Sequence, residues 1–440
     1  FAGHRVVVAR LVDVLEHDFS LQNIRSPAVT MSALWPCYDT MRPLRVPAFA
    51  LLFAVLLSPL TAAARGYTPQ GSCGPHERVA LGVVPTGHCV ALVADERQGL
   101  RYPRRILEVA PGRTWVIDMG SWEPRKGRLL ELTLPPGARQ ASVRVLAEQL
   151  DRPLGLAVGP DGQAWVGEAG QIWRTPIPPA GQPLGPREVM LPDLPSDGAH
   201  PLKEIAFGPG GALYVNMGSV TDACRGDDQR QPVPCPELAG AQPRGAVYRA
   251  ELDAANGWRV KRFAPFATGL RNSVALLALP DGRVLQGENN IDYRDENAPP
   301  EELNLLQAGQ HYGWPYCVGK GVAARGYEKR YDCRRAQNPL QIWPAHAAPL
   351  QLLAGRAESA YTNQLIAVWH GHRAAGHRVM RLPLGQDGLP SGAPQPLLAG
   401  WDALAKVRPE GRPTGATIDS QGRLWVLEDF NRTVLLVRKP

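Results

Sequence analysis

Oxygen-bearing side chains are concentrated in residues 287–317, whose sequence is GENNIDYRDENAPPEELNLLQAGQHYGWPYC. Carboxylates and amides dominate its first half, and aromatic residues surround a Gly-Trp-Pro turn near its end. Calcium binds oxygen atoms from carboxylates, amides and backbone carbonyls. A loop that is only solvated does not need so stiff an aromatic segment. We therefore predict that this stretch binds calcium and forms one wall of a ligand site, with a solvated acidic loop as the alternative.

The elements that must position such a loop are short strands. One pattern recurs along the chain: a polar start, an apolar strand, a glycine turn and a second apolar strand. In two copies the turn is Asp161-Gly162 or Asp281-Gly282, which offers the positive φ that a tight hairpin requires. The pattern occupies residues 104–120, 152–174, 200–219, 271–289, 348–371 and 412–437.

Six such units predict an all-β fold, because a single hairpin cannot bury its apolar face alone. Radial packing of four-stranded antiparallel sheets solves this problem and predicts a six-bladed β-propeller. One or two β-sandwiches are the alternative. The last unit ends near the C-terminus, so we expect it to complete a blade that begins near the mature N-terminus. The intervals 220–268 and 289–347 are predicted to be loops on the functional face.

The composition is that of an ordinary globular protein. The chain has 440 residues, of which 44% are hydrophobic and 20% are charged, and its 45 glycines and 43 prolines are scattered like turn residues. The net charge of +7 suits an anionic small molecule. No basic run with interleaved aromatic residues stands out, which argues against nucleic acid as a partner.

The N-terminal region predicts export. Residues 41–64, MRPLRVPAFALLFAVLLSPLTAAA, have the basic start, short apolar run and small-residue end of a signal peptide cleaved after Ala64. The apolar run is too short for a stable membrane span, although an uncleaved anchor is the alternative. Residues 1–40 are predicted to be an upstream extension without function. Residues 65–440 would then form the propeller of a periplasmic or secreted protein.

Six cysteines follow the predicted leader and lie in local pairs. An even number of cysteines in an exported chain predicts disulfides, and no pair has the Cys-x-x-Cys spacing of a zinc site. Proximity along the chain favours the pairs Cys73 with Cys89, Cys224 with Cys235, and Cys317 with Cys333.

Three motifs carry a resemblance to a known family. They are GLRN at 269–272, EELNLLQAGQHYGWP at 301–315, and a histidine that opens HPLKEIAFGPGGALYVNMGS at 200–219. Together they resemble the glucose/sorbosone dehydrogenases, six-bladed propellers that use pyrroloquinoline quinone (PQQ). The resemblance covers most of residues 100–437. It implies oxidation of an aldose or related sugar at the anomeric carbon, with electrons passing to an external acceptor such as a cytochrome or quinone.

The resemblance assigns the catalytic roles to two residues. His200 occupies the position of the general base, and an imidazole suits proton abstraction near neutral pH. Arg271 and Asn272 occupy positions at the quinone, where a guanidinium can stabilise the charge that builds up on reduction. The alternatives are a histidine that caps a strand and an arginine that bridges two blades. Ala199 stands where relatives often carry an acidic residue.

The resemblance also implies ligands for the cofactor and for calcium. PQQ carries three carboxylates, so cations and polar groups should converge on it, and the implied residues are His346, His370, Arg373 and Arg412. A zinc-type pair of His370 and His372 is disfavoured. The implied calcium ligands are the backbone carbonyls of Asn290 and Ile291 beside the cofactor, with Glu302 and Tyr312 at a second, structural ion.

Two other function classes stay open at this point. The first is a non-catalytic propeller that has lost PQQ, which the departures at Ala199, Asn290 and residues 371–373 favour. The second is a calcium-dependent lactonase-type hydrolase, which the order of His200 and Arg271 argues against.

Overall fold

A computed structural model of the protein describes residues 67–68, 70–226, 228–401 and 411–440. The predicted upstream extension and signal peptide lie outside these residues. No helix within the ranges just given is long and apolar enough to span a bilayer.

The described residues form six antiparallel sheets arranged as blades, as predicted. Three strands precede the first complete blade: β1 (Ser72–Cys73), β2 (His76–Val79) and β3 (Cys89–Ala94). Blade 1 contains β4 (Pro103–Ala110), β5 (Arg113–Asp118), β6 (Gly127–Thr133) and β7 (Ser142–Leu150). Blade 2 contains β8 (Leu156–Val158), β9 (Ala164–Gly167), β10 (Ile172–Thr175) and β11 (Glu188–Leu191). Blade 3 contains β12 (Ile205–Phe207), β13 (Ala212–Met217), β14 (Ala246–Asp253) and β15 (Arg259–Thr268).

The second half of the chain repeats this arrangement. Blade 4 begins with β16 (Ala275–Ala278), β17 (Val284–Glu288) and β18 (Glu301–Leu306), followed by a small hairpin of β19 (Cys317–Val318) and β20 (Val322–Ala323), and it ends with β21 (Gln341–Trp343). Blade 5 contains β22 (Pro349–Ala354), β23 (Gln364–Trp369), β24 (Arg378–Pro383) and β25 (Gln395–Leu398). Blade 6 contains β26 (Pro413–Ile418), β27 (Leu424–Glu428) and β28 (Thr433–Arg438). The short 3-10 helices are Glu96–Gln98, Pro209–Gly211, Pro236–Leu238, Ala254–Asn256 and Cys333–Arg335.

The first and last parts of the chain close the ring together. Strand β3 pairs antiparallel with β28, with Cys89 opposite Arg438 and Val90 opposite Val437. Blade 6 therefore combines three C-terminal strands with the three N-terminal ones, which confirms the predicted closure. This pairing covers an edge of the sheet that would otherwise stay open.

Neighbouring blades bury apolar residues between them. In one such layer Trp115 and Leu129 of blade 1 pack with Val166 and Trp173 of blade 2, and all four are at most 1% exposed. The alternation of apolar residues in each hairpin thus fills the interfaces between blades.

The two intervals predicted to be loops are only partly loops. Outer strands β14, β15, β18 and β21 fall within them, and the true insertions are residues 218–245, 289–300 and 307–340. The prediction failed because insertions separate β14 and β18 from the second strands of their blades, so the pattern of the inner hairpin ends before the outer strands begin. All three predicted disulfides are present: Cys73–Cys89, Cys224–Cys235 and Cys317–Cys333.

The first strand of each blade lines the propeller axis. Strands β4, β8, β12, β16, β22 and β26 contact one another in ring order, and β26 contacts β4. In each blade the start of the inner strand pairs with the end of the second strand, as Ala275 does with Gly287 and Pro413 with Glu428. Residues just before the inner strands and just after the second strands therefore meet at one end of the axis, which we call the upper face.

A buried ion pair closes the axis below the upper face. The Arg105 guanidinium donates to the carboxylate of Glu204, and both residues are at most 5% exposed. It also donates to the carbonyl oxygens of Val274 (2.9 Å), Leu350 (2.6 Å) and Thr414 (3.2 Å). One side chain thus connects the inner strand regions of five blades.

Candidate active site

His200 lies on the upper face, in the loop before β12. Its Nδ1 is 3.1 Å from the carbonyl oxygen and 2.9 Å from the hydroxyl oxygen of Ser219. A carbonyl can only accept, and the Ser219 hydroxyl donates its own proton to the carbonyl of Thr221 at 2.7 Å. The proton of a neutral His200 therefore belongs on Nδ1, which leaves the lone pair of Nε2 as the basic site.

The surroundings keep this imidazole neutral. Burial lowers the pKa of His200 well below its ordinary value, and the positive charges of Arg271 and Arg244 lower it further. A neutral imidazole can accept a proton, so the electrostatics fit the role of a base.

Two buried basic side chains hold the loop that carries His200. The Lys203 amino group, which is 0% exposed, donates to the carbonyls of Pro195 at 2.7 Å and Pro201 at 2.6 Å, and burial lowers the pKa of Lys203 to about 7. The Arg244 guanidinium donates to Asp197 Oδ1 at 2.6 Å and to the carbonyl of Gly218 at 2.8 Å.

A close backbone approach fixes the other side of the loop. A Cβ added at Gly218 would lie 2.4 Å from the Cβ of His200, so no larger residue fits there without moving the imidazole. Glycine directly after β13 thus lets the backbone pass directly beside the His200 side chain.

Removing the charge of Arg244 should raise the pKa of His200. In Arg244→Gln the imidazole loses one of the two positive charges that oppose its protonation. Activity that needs a neutral base is present above this pKa and is lost as pH falls through it, so the acid limb should move to higher pH. An NMR titration of the His200 imidazole measures the same shift without turnover. Arg244→Lys keeps the charge and should titrate like the wild type; equal shifts in both variants would contradict this explanation.

Arg271 is next to His200 on the upper face, before the inner strand of blade 4. Its carbonyl accepts a hydrogen bond from the Ser219 amide at 2.8 Å. Its guanidinium, 5% exposed, donates to the carbonyl of Asn289 at 3.0 Å and pairs with Asp222 at 2.9 Å and Asp292 at 2.8 Å. Burial alone would lower the pKa of Arg271, but the carboxylates outweigh it and raise the pKa, so the side chain stays charged.

Asn272 makes a backbone contact next to this pair. Its carbonyl oxygen accepts a hydrogen bond from the side-chain amide of Asn289 at 3.3 Å. The GLRN motif therefore joins the start of the inner strand to the end of the second strand of blade 4.

A second group of charges surrounds Asp429 between blades 5, 6 and 1. The Asp429 carboxylate lies 3.2 Å from Arg104, 3.0 Å from His370 Nε2 and 3.7 Å from Arg412 Nε. Burial would raise the pKa of Asp429, but His370, Arg104 and Arg412 together hold it below its usual range. In the part of the chain that the structure describes, the buried Nε atoms of Arg104 and Arg412 have no hydrogen-bond partner.

His346 and Arg373 form a third group, beside the insertion at 289–300. His346 Nε2 is 2.7 Å from the carbonyl oxygen of Asp295 and 3.1 Å from Arg373 Nη1. Arg373 also pairs with Glu296 at 3.1 Å. Both predicted residues therefore lie on the upper face, but their nitrogen atoms already contact Asp295 and Glu296 of this insertion.

Buried carboxylates lie under Arg271. Glu288 and Glu302 face each other across β17 and β18, and both are 3% exposed. Burial raises the pKa of Glu302 to about 7, and burial together with the charge of Glu302 raises the pKa of Glu288 well above its ordinary value. The Asn304 Oδ1 atom, also buried, has no donor among the described residues. Calcium binds oxygen atoms of these types. The carboxylate oxygens of Glu288 and Glu302 already accept hydrogen bonds, so the Asn304 Oδ1 atom is the observation that favours an ion here.

The other predicted calcium ligands, Asn290, Ile291 and Tyr312, already make hydrogen bonds within the protein. Asn290 donates from its side chain to Glu302 at 3.3 Å, and the Ile291 carbonyl accepts from the amide of Tyr293. The Tyr312 hydroxyl donates to the carbonyl of Leu305 at 2.6 Å, near the opposite end of β18 from Glu302. The side chains of Glu302 and Tyr312 therefore do not converge.

Sequence reasoning missed Arg104 and Asp429, although a signal for both was present. Arg104 opens the first repeat, as His200, Arg271 and Arg412 open theirs. Asp429 follows the second strand of the last repeat. An alignment of all six units places both residues at positions that correspond to predicted site residues.

Neither a protein-family model nor a curated protein matches the chain. The chain is, however, similar in fold to several solved structures. A carbohydrate-active enzyme of family AA12 from Trichoderma reesei, solved with iodide, is 19% identical over 82% of this chain and 99% of its own, with a TM-score of 0.65. The holo PQQ domain of a pyranose dehydrogenase from Coprinopsis cinerea is 20% identical over 84% of this chain and 100% of its own, also at 0.65. The PQQ-bound aldose sugar dehydrogenase of Streptomyces coelicolor is 19% identical over 81% and 99%, at 0.53.

This chain has the fold of the soluble sugar dehydrogenases. The likeness in fold that the three motifs predicted is therefore confirmed. Within that fold, the donor set can be tested against an anionic cofactor. The buried Nε atom of Arg104, which has no hydrogen-bond partner among the described residues, fits a carboxylate-bearing ligand. Arg412 Nε already faces Asp429 at 3.7 Å, and the donors of Arg271 are shared with Asp222 and Asp292.

Proposed function

We propose that the protein is a PQQ-dependent dehydrogenase that oxidises an aldose or related sugar at its anomeric carbon. The observation that carries the proposal is the His200 imidazole, which holds its proton toward Ser219 and directs its basic Nε2 lone pair away from that contact. The fold shared with sugar dehydrogenases supports the substrate class.

His200 acts as the general base in this mechanism. Oxidation of a sugar hemiacetal to a lactone removes a proton from the hydroxyl and a hydride from the same carbon. Nε2 of His200 accepts the proton, and its Nδ1–H keeps the hydrogen bond to Ser219, which fixes the ring orientation. Bound PQQ would supply the two-electron acceptor for the hydride.

Cations of the upper face would orient the cofactor and offset the negative charge that develops during oxidation. Arg104 would hold a carboxylate of the cofactor through its Nε–H group, which has no partner among the described residues. Arg412, which is partly exposed and lies 3.7 Å from Asp429, would hold a second carboxylate. Arg271 stays protonated next to His200 and opposes the negative charge that develops during oxidation. His346, His370 and Arg373 complete the polar wall.

Calcium would occupy the carboxylate cluster under Arg271. Glu302 and the Oδ1 atom of Asn304, which has no donor among the described residues, would provide oxygen ligands, and Asn290 lies within hydrogen-bond distance of Glu302. A divalent cation there would compensate the buried negative charge of Glu288 and Glu302. The carbonyls of Asn290 and Ile291 remain proposed ligands beside the cofactor.

We also infer that the protein works in the periplasm or outside the cell. The three disulfides support an oxidising compartment. Its partners would be a small sugar and an external electron acceptor such as a cytochrome or quinone.

Reconstitution tests the proposed function. PQQ and calcium are added to the purified, disulfide-bonded protein, and two signals are followed: the absorbance of the bound quinone and the sugar-dependent reduction of a dye. We expect both signals, and calcium chelation should abolish turnover.

Other results would identify the alternatives. Failure to bind PQQ at micromolar concentration would favour a non-catalytic propeller. In such a protein the ion pairs with Asp222 and Asp292 would keep the Arg271 guanidinium from binding a ligand. Ester or lactone hydrolysis without PQQ would favour the calcium-dependent hydrolase.

A further inference from the structure

A compact basic surface lies on the insertion that follows β18. Residues 318–337 contain six basic and two acidic residues, although the whole chain has a net charge of only +7. All six basic side chains are exposed, and we call them the basic patch: Lys320, Arg325, Lys329, Arg330, Arg334 and Arg335. More than half of the excess positive charge is therefore concentrated on one short segment.

Four of these cations are available to a partner. Arg325 pairs with Asp295, and Arg334 pairs with Asp332, each at 2.8 Å. Among the described residues, the remaining members of the basic patch have no ion pair. Their charge is therefore presented to solvent.

The patch has a rigid base. The Cys317–Cys333 disulfide closes its segment, and the rings of Tyr316 and Tyr331 stack at 4.2 Å. The guanidinium of Arg335 lies 5.8 Å from the centre of the Tyr331 ring. Because the scaffold is fixed, the charges keep a defined arrangement instead of moving with a flexible tail.

The same base supports the candidate active site. The Trp314 indole donates to the carbonyl of Asp222 at 2.9 Å, and the carboxylate of Asp222 pairs with Arg271. On the other side, the Arg325 guanidinium lies 4.3 Å from the centre of the Tyr293 ring, next to Asp292, which also pairs with Arg271. The patch and the site thus share two loops.

We propose that the basic patch is the docking surface for an acidic one-electron carrier protein, such as a c-type cytochrome of negative net charge. This inference rests on the proposed function. Oxidation of one sugar releases two electrons, so each turnover reduces two oxidised carriers. Complementary charge steers such encounters and raises their association rate.

The arrangement favours a protein partner over nucleic acid. Single-stranded nucleic acids bind by stacking their bases on accessible aromatic rings. Here Tyr316 and Tyr327 are 4% and 0% exposed, so their rings serve the scaffold. Segment 320–335 does combine basic and aromatic residues, contrary to the sequence prediction, and its Tyr331 is half-buried with Arg335 5.8 Å from the centre of its ring.

Charge reversal tests the docking surface. The test variant combines K329E, R330E and R335E in the full chain. The control variant combines R249E, K261E and R381E, which lie on exposed positions of outer strands and reverse the same number of charges. The reconstituted protein is assayed with an acidic cytochrome and with a small uncharged dye, at low and high salt.

We expect the test variant to reduce the cytochrome about 10- to 1000-fold more slowly at low salt while its dye reduction is unchanged. The control variant should keep both activities. High salt should slow the wild type toward the rate of the test variant. Equal cytochrome rates in wild type and test variant would overturn the docking proposal.

Direct binding separates this proposal from the proposed function. Binding of the oxidised cytochrome is measured without sugar or PQQ, so it does not depend on turnover. Loss of binding in the test variant alone supports the surface even if wild-type dye reduction is absent, a result that would count against the proposed function only. Tighter binding of a short single-stranded DNA than of the cytochrome, lost in the same variant, would overturn the protein partner.

Discussion

Replacing His200 by alanine should abolish sugar turnover and leave PQQ binding intact. The imidazole supplies the base through Nε2, and a positioned general base contributes about 10²- to 10⁴-fold to the rate. We therefore expect kcat to fall by about that factor. The cofactor carboxylates would be held by Arg104 and Arg412 in other blades, so titration of quinone binding should give an unchanged dissociation constant.

The control for this variant is His88→Ala, which removes a histidine from the loop before β3. Its Nδ1 is 2.9 Å from the carbonyl oxygen of Thr86 in the same loop, away from the upper face, so its removal should leave both measurements unaltered. Full turnover by the His200→Ala protein would remove His200 from its catalytic role. Parallel loss of turnover and of cofactor binding would instead assign His200 to the cofactor pocket.

The architecture could be predicted because each blade repeats one local signal. A glycine turn between two apolar strands fixes an antiparallel hairpin without information from distant residues. The third strand of a blade is not always fixed in this way: β14, with the sequence AVYRAELD, is separated from β13 by the insertion at residues 218–245. Its pairing depends on burial against the next blade, which a local pattern does not record.

The candidate site could be predicted in position but not in its partnerships. His370 and Arg412 were assigned as separate cofactor contacts, yet both lie beside Asp429, which the register of blade 6 brings to the upper face. Arg271 was assigned to the quinone, and its carboxylate partners come from two different insertions. Because long loops decide these contacts, residue type and spacing alone do not reveal them.

The buried pair on the axis should control stability more than any surface charge. In Arg105→Met, Glu204 keeps a carboxylate at 5% exposure without its partner, and breaking a buried ion pair in this way costs about 3–5 kcal/mol. We expect the free energy of unfolding, measured by urea denaturation, to fall by about that amount. A matched exposed variant, Arg381→Met, should change it by less than about 0.5 kcal/mol.

A double variant distinguishes a simple ion pair from a residue that connects several blades. If Arg105 only neutralised Glu204, then replacing both by methionine would restore the wild-type stability, since apolar replacement of a buried pair is often neutral. The guanidinium also donates to the carbonyls of Val274, Leu350 and Thr414, each of which loses its donor in the double variant. An unsatisfied buried acceptor costs about 1–3 kcal/mol, so the double variant should remain less stable than the wild type. Complete recovery would contradict the role of Arg105 as the residue that joins five blades at the axis.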